Sequence, residues 1–395
     1  MIKSKFYFED NVYLFSKIFF IIAIALTLPF FPLLSFIFCF IYLLFLYNSD
    51  DLLLNVTVFL ISIFNFLVIN NSRGFVEELQ LDLGIYYDVF LDIQRYGLSQ
   101  VEILFGGGWE VGWPIIFDIL SFFHLSPYDI VFINNFLAMS LCLAWLYCYG
   151  FKYIDKSYKG VLFASFILFF SIATTSFLQR QALSTGILLF AVSNIKQPKK
   201  YILIVLLASF FHLSAILIGG LYYLFSKIKV NFRNFLLFFF GVLFFRLFFY
   251  FIIKILVSIP ALSFLAIKFG YYADVEFQIA SLRFPIIIFP LLVYLFYRNP
   301  FNDEILRRVV FYSCCSYYVL LGIPLLSERI NFLILMMYGF YVFMCFKKDI
   351  RFYYVLIILY FIYFILDKGW LANGIYSYWV RYDFLNLTPF YYLGY

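Results

Sequence analysis

Apolar runs follow one another so closely along this chain that little polar sequence is left to cover a water-soluble fold. They lie at 12–30, 33–47, 52–70, 128–150, 160–177, 182–195, 201–225, 235–257, 284–297, 309–326, 330–346 and 352–366. A soluble domain carries about 45–50% apolar and about 25% charged residues. Here 65% are hydrophobic and 13% charged. The runs approach the length of a membrane-crossing helix. The fold class they predict is an all-α polytopic membrane protein with about 11–13 transmembrane or re-entrant helices. Residues 1–395 are read as a single integral membrane domain. The first run follows Lys3 and Lys5, as in a signal peptide. No A-x-A cleavage site follows, and many more runs do, so it reads as an uncleaved first span. The six cysteines all sit in apolar runs without a CxxC pair, which makes them small packing residues.

Basic loops set the orientation. Lys152, Lys156 and Lys159 form one; Lys196, Lys199 and Lys200 another; Lys227, Lys229 and Arg233 a third. Arg298, Arg307 and Arg308, then Lys347, Lys348 and Arg351, complete the set. All read as cytoplasmic. The net charge of +6 therefore reports topology, and nucleic acid is not an expected partner. The stretch from Asn71 to Gly112 carries seven acids (Glu77, Glu78, Asp82, Asp88, Asp92, Glu102 and Glu110) against Arg73 and Arg95. Residues 71–127 are thus the long outside loop, and "GWPIIFDILSFFHL" within it predicts an amphipathic surface helix that includes His124. Residues 367–395 form a tail on the same outer side.

Residues 201–225 join two basic loops, so a single crossing would put one of them outside. A break around His212 and Ser214, ahead of Gly219 and Gly220, removes the conflict by making a re-entrant hairpin. The runs at 182–195 and 284–297 hold only 14 residues each, and short segments of this kind usually border a cavity. Residues 178–225 are accordingly read as short or broken helices lining one. From Lys200 to His212 is about 18 Å of helix, and from Ile195 back to Arg180 about 22 Å. Arg180 and His212 are then expected at similar depth near the outer side.

Several residues carry chemistry in this setting. Arg180, between Gln179 and Gln181 in "SFLQRQALSTGILLF", either snorkels to the headgroups or binds an anion through its planar fork. Arg329, in "LLSERINFLILMMYGF", either pairs with Glu328 or makes a second anion contact. Arg283 opens a short run and faces outward by topology. Together these arginines suggest a polyanionic ligand. His212 is either a satisfied core residue or a base for a hydroxyl nucleophile. Asp82, Tyr86, Tyr87 and Asp88, with Trp109, Glu110 and Trp113, combine rings and carboxylates that suit sugars, or belong to a solvated loop with interfacial tryptophans. The "GGG" at Gly106–Gly108 lacks the GxxxxGK[ST] pattern of a phosphate loop. No DxD pair, clustered metal ligands or Ser-His-Asp arrangement is present in the sequence.

The order of these stretches resembles a known family. Asp82, Tyr86 and Phe90 precede Glu110–Trp113; "LQRQALSTGILL" precedes "FFHLSAIL"; "SERINFLILMMYGF" and "TPFYY" come late. This is similar to the EpsG-like family of bacterial polysaccharide polymerases, also called Wzy proteins. The resemblance implies a glycosyltransferase of the inner membrane with a GT-C-like fold. It would move a growing glycan from undecaprenyl diphosphate to the non-reducing end of the next lipid-linked unit. The active site would face the periplasm, where the 71–127 loop and the tail would lie. By position, Arg180 and His212 match the family's R and FH motifs and Arg329 its late arginine. Arg180, His212 and Glu110 are the expected catalytic residues. Arg329, Arg283, Asp82, Tyr86, Gln179, Gln181 and Trp109 are the expected substrate contacts. No cofactor, nucleotide sugar or metal is implied. Partners are the lipid-linked oligosaccharide and membrane lipids, with a chain-length regulator left open. An O-antigen ligase would look much the same. A flippase for lipid-linked oligosaccharides would be expected to show internal repeats and cations deep in several spans, and neither is read here.

Overall fold

A computed structural model describes residues 2–48, 50–78, 82–101, 105–258, 283–320, 324–368 and 377–393. The described residues form helices and connecting turns, with no strand among them. In chain order the first helices are α1 (Ile2–Thr27), α2 (Pro32–Ile41), α3 (Leu52–Asn71), α4 (Gly74–Glu77), α5 (Asp82–Tyr96), α6 (Gly112–Leu120), α7 (Pro127–Trp145), α8 (Lys159–Phe169) and α9 (Ile172–Phe177). There follow α10 (Gln179–Ser193), α11 (Pro198–Ser209), α12 (Ser214–Lys227), α13 (Phe232–Ser258), α14 (Arg283–Tyr297), α15 (Glu304–Val319) and α16 (Pro324–Met336). The last are α17 (Tyr338–Phe346) and α18 (Ile350–Leu366). Contacts group the chain into two compact units: Met1–Leu183 with Met337–Tyr395, and Ser184–Met336.

Among the described residues, three helical stretches are long and apolar enough to cross a membrane: Leu52–Asn71, Pro127–Tyr153 and Tyr338–Leu366. Val12–Thr27, Pro32–Leu46 and Ile288–Tyr297 are apolar but shorter. The sequence led us to expect more long runs than this. The run at 160–177 breaks at Phe170 and Ser171, and the run at 330–346 breaks at Met337. Hydropathy alone does not register such interruptions, because the breaking residues are themselves apolar or small. The surface helix also ends earlier than expected. Helix α6 stops at Leu120, so His124 is exposed in the turn before α7 and not in a helix. Gln94 on α5 holds that turn by donating to the carbonyls of Ser121 (3.2 Å) and Phe123 (3.0 Å).

Local chemistry fixes the starts of several helices. Ser126 and Asp129 form a reciprocal capping box ahead of α7, with Pro127 in the first turn where no N–H is needed. Asp303 caps α15 by accepting from the amides of Ile305 (2.9 Å) and Leu306 (3.2 Å).

In the first unit, aromatic rings fill the middle. Phe40 stacks on Phe361 at 3.8 Å, and Phe36 packs against Phe66 and Phe364. Lipid is as apolar as these rings, so close packing matters more here than transfer out of water. Gly339 on α17 allows a close backbone-to-backbone approach. A Cβ there would stand 2.7 Å from the Ser165 carbonyl carbon and 2.8 Å from the Phe166 Cα. Ser165 seals this contact by donating to the Gly339 carbonyl at 2.9 Å and by bonding the Tyr353 hydroxyl.

The two ends of this unit differ. At one end Tyr13 donates to Leu46 (3.0 Å), Lys17 pairs with Asp51, and Tyr354 donates to Leu44 (3.3 Å). The basic stretches 152–159 and 347–351 flank the helices that meet there. At the other end Asn71 donates to the Tyr128 carbonyl (2.8 Å), Gly74 to Ser377 (3.2 Å) and Phe390 to Pro29 (2.8 Å).

The second unit is built around α15, which packs against α12, α13, α14 and α16. Arg307 donates to the carbonyls of Leu295 and Phe296, both at 2.9 Å, and Arg308 to that of Ser226 at 3.1 Å. These arginines satisfy carbonyls at the C-terminal ends of α14 and α12, where cations are favoured. Helices α11 and α12 fold back on each other. The Tyr201 hydroxyl donates to the Gly219 carbonyl, and Val205 lies against Gly219.

Candidate functional site

The polar residues Gln179, Arg180 and Gln181 occupy the first turn of α10. The chain leaves helical geometry at Leu178, between α9 and α10. Helix α9 is fastened to α7 just before this break. Asn134 donates to the Thr175 carbonyl (2.9 Å), Asn135 donates to the Ser176 hydroxyl (2.8 Å), and Thr175 donates to the Asn135 side chain (2.6 Å). All four side chains are buried, and the fastener fixes the point from which Arg180 projects.

A helix N-terminus is an unfavourable place for a cation, because the macrodipole is positive there. Residues of α5 and of the 105–110 turn offset that cost. The guanidinium donates through Nη1 to the carboxylate of Glu110 and through Nε to the Tyr86 hydroxyl at 3.2 Å. It also lies 4.3 Å from the centroid of the Phe105 ring and 5.6 Å from that of Tyr86. Glu110 is wholly buried, while the Arg180 side chain keeps 20% of its surface exposed. A wholly buried carboxylate needs such a partner, since an unpaired charge at that depth is strongly disfavoured.

Sequence places each member. Helix α5 carries Asp82 and Tyr86 one turn apart. The turn Phe105–Gly108 then brings Glu110 back. Gly108 has φ +85°, a left-handed conformation that suits glycine, and the Glu110 amide donates to the Phe105 carbonyl at 3.3 Å. The glycine run therefore serves as a chain reversal. Burial pushes the Tyr86 phenol above its usual range, and the neighbouring Arg180 charge only partly opposes that. The Asp82 carboxylate adds negative field at both Tyr86 and Arg180. Trp109 is exposed beside Glu110, and Gln179 and Gln181 are buried beside Arg180.

The structure thus brings together Arg180, Glu110 and Tyr86, with Asp82 in their field. The other expected residues lie elsewhere in the chain. His212 sits at the tip of the α11–α12 hairpin; its amide donates to Ala208 (3.1 Å) and its carbonyl accepts from Ala215 (2.9 Å). Arg329 is in α16 and half-buried. Arg283 begins α14, and its side chain lies outside the described residues, as do those of Glu77 and Glu102. Both His212 and Arg329 belong to the second unit, and Arg180 to the first. No group of three His, Cys, Asp or Glu suited to a metal occurs among the described residues.

The sequence model of the EpsG family matches residues 59–384. The chain belongs to the EpsG family. No curated protein and no solved structure matches it. The family match spans α3 to the C-terminal segment and includes Asp82, Tyr86, Glu110, Arg180, His212, Arg283 and Arg329. It stops short of "TPFYY", residues 388–392. For this EpsG-family chain, membership supports a role of the polysaccharide-polymerase type in a membrane setting.

Sequence reasoning singled out Arg180, Glu110 and Tyr86 but gave them separate tasks. It missed that they form one cluster, and it missed Phe105. The usable signal was charge balance: a lone arginine in an apolar run needs a carboxylate, and Glu110 stands in the equally apolar "GGGWEVGWPII".

Proposed function

We propose that the protein is a membrane glycosyltransferase that polymerises undecaprenyl-diphosphate-linked oligosaccharide units into O-antigen or capsule-type polysaccharide. The growing glycan passes from its lipid diphosphate to the non-reducing end of the next unit. The reading places this at the periplasmic face of the bacterial inner membrane. The observation that carries it is the Arg180–Glu110–Tyr86 cluster, built on loop residues at the end of its unit away from the basic stretches 152–159 and 347–351.

The chemistry follows from the needs of the reaction. As the C1–O bond of the donor sugar breaks, the leaving diphosphate gains negative charge and a guanidinium stabilises it. Arg180 presents N–H groups beyond the one engaged by Glu110. The acceptor hydroxyl forms the new bond to C1 and loses its proton to a base. When a diphosphate draws Arg180 away, the Glu110 carboxylate loses its Arg180 contact and becomes the base beside the acceptor. Donor arrival thereby switches the base on. In this reading Asp82 and exposed Trp109 contact sugar, while Gln179 and Gln181 line the site. Arg283 and Arg329 remain proposed phosphate contacts, and His212 a candidate second base. A GT-C-like architecture and an inverting outcome belong to the same proposal.

The test uses purified protein in bilayers supplied with lipid-linked repeat units. Wild-type protein should extend them into a ladder on a gel. Arg180→Ala should insert normally and give no ladder. A normal ladder from that variant would sink the reading.

A further inference from the structure

Residues 377–393 carry no long helix, yet they are fastened at several points. Trp379 donates its amide to the Ser72 hydroxyl at 3.2 Å and its indole N–H to the Lys368 carbonyl at 3.0 Å. The amide of Val380 reaches the Ser72 carbonyl at 3.0 Å. The Tyr382 hydroxyl bonds the Val68 carbonyl, and that of Tyr392 bonds the Leu28 carbonyl. The motif "TPFYY" thus pins the far end of a strap across the starts and ends of α1, α3 and α7. Within it Trp379 adopts φ +62°, a left-handed conformation that bulky residues rarely hold, and such strain tends to persist where function uses it.

The strap gathers cations. Arg73 lies 4.6 Å from the Tyr378 ring centroid and Lys368 lies 4.1 Å from it. Lys368 also pairs with Asp367 at 3.3 Å. Arg381 differs from these. Its guanidinium stacks on the Tyr128 ring at 3.9 Å, and among the described residues no carboxylate pairs with it. Asp383, two residues on, is exposed. A guanidinium held flat on a ring keeps its N–H edges available, and those edges match two phosphate oxygens. Tyr128 and Phe177 pack on the same apolar cluster of Phe75, Val76, Leu83 and Val131. Phe177 closes α9, just before Arg180, and Leu83 follows Asp82. Arg381 and Arg180 therefore stand at the same end of the first unit, joined through one small core.

We propose that Arg381, held over Tyr128 by the C-terminal strap, anchors a second phosphate site that takes the diphosphate of a second lipid-linked unit. This rests on the polymerase reading above. Joining two units brings two diphosphates to one protein, and Arg180 can neutralise only one. The donor's diphosphate leaves at Arg180, while the acceptor's stays intact and needs a separate seat.

The probe is a short-chain isoprenyl diphosphate titrated into protein in zwitterionic nanodiscs. Wild-type protein should bind two equivalents. Arg381→Ala and Arg180→Ala should each retain one, and the double variant none. Arg381→Lys keeps the charge without the fork and should weaken the second event about tenfold. The strap's backbone bonds do not use the Arg381 side chain, and an unchanged melting curve for Arg381→Ala verifies that the strap persists. Two equivalents bound by Arg381→Ala, or a single equivalent bound by wild type, would overturn the second site. Repeating the titration in phosphatidylglycerol discs distinguishes the phosphate source. Loss of the second equivalent there would assign the seat to bilayer headgroups and overturn the substrate assignment. If wild type binds two equivalents but elongates nothing, the polymerase reading fails and the second phosphate site stands.

Discussion

Arg180 donates to a Glu110 carboxylate that has no exposed surface of its own. Removing the guanidinium alone strips that buried charge of its Arg180 partner, and breaking a buried pair from one side costs about 3–5 kcal/mol. Arg180→Ala should therefore lower stability as well as activity. Pairing Arg180→Met with Glu110→Gln removes both charges and should recover most of the stability. It should not recover polymer synthesis, because the cation that meets the diphosphate is still missing. Thermal unfolding in detergent, read beside the gel ladder, separates the two effects. A double variant that makes normal polymer would show the pair to be structural only.

Tyr86 has a distinct part, because its hydroxyl accepts from the Arg180 Nε at 3.2 Å. Tyr86→Phe should cost about 1.5–3 kcal/mol, the range for a hydrogen bond to a charged group. It should also change the alkaline limb of stability. The buried phenol holds its proton above the ordinary range in the folded protein. Below pH about 10 both folded and unfolded chains keep this proton, so it adds no slope. Above that the unfolded chain releases it first, and stability falls by about 1.4 kcal/mol per pH unit until the folded phenol also ionises. Denaturation of wild type and Tyr86→Phe from pH 9 upward should show the wild type falling more steeply by that amount. Parallel curves would contradict the assigned burial.

Two glycines make opposite predictions from the same substitution. On Gly339 a methyl group would run into the backbone of Ser165 and Phe166, which cannot swing aside as a side chain can. Gly339→Ala should separate α8 from α17 and cost about 1–3 kcal/mol or more. Gly241 lies within α13, and a methyl group there meets nothing within 4 Å. Gly241→Ala should be neutral or stabilise by about 0.5–1 kcal/mol. Melting temperatures of the two variants check this, and loss of stability at Gly241 would show an unexpected contact.

Legibility from sequence followed the physics of each feature. Apolar runs predicted helices because nothing but a helix-length apolar stretch explains residues such as 52–70, and α3 occupies Leu52–Asn71. Interruptions at Phe170 and Met337 were not legible, since neither is a proline or glycine and each depends on what packs beside it. The site was half legible. Arg180, Glu110 and Tyr86 stood out as polar groups among apolar ones, but 70 residues separate the two charges of the pair. A contact of that range has no periodic signature. Arg381 and Tyr128 were missed for the same reason, with the strap lying far along the chain from α7.

The hairpin at His212 makes the sharpest topological claim. Helix α11 has 12 residues and α12 has 14, and the chain turns between Ser209 and Ser214. At 1.5 Å per residue these are about 18 and 21 Å long, short of the roughly 30 Å hydrocarbon core. Tyr201 and Val205 meet Gly219, so the two helices run back along each other and their outer ends lie together. Lys199 and Lys229 flank those ends and should face the same compartment. Single cysteines at 199 and 229, introduced in a cysteine-free background, test this with an impermeant thiol reagent. Both should resist labelling in intact cells and react in inverted vesicles, as a cysteine at 156 should. Labelling of 229 alone from outside would mean a single crossing, and the positive-inside pattern would then fail at that loop. Labelling of both from outside would place both ends of this hairpin on the outer side and reverse the expected orientation of the hairpin.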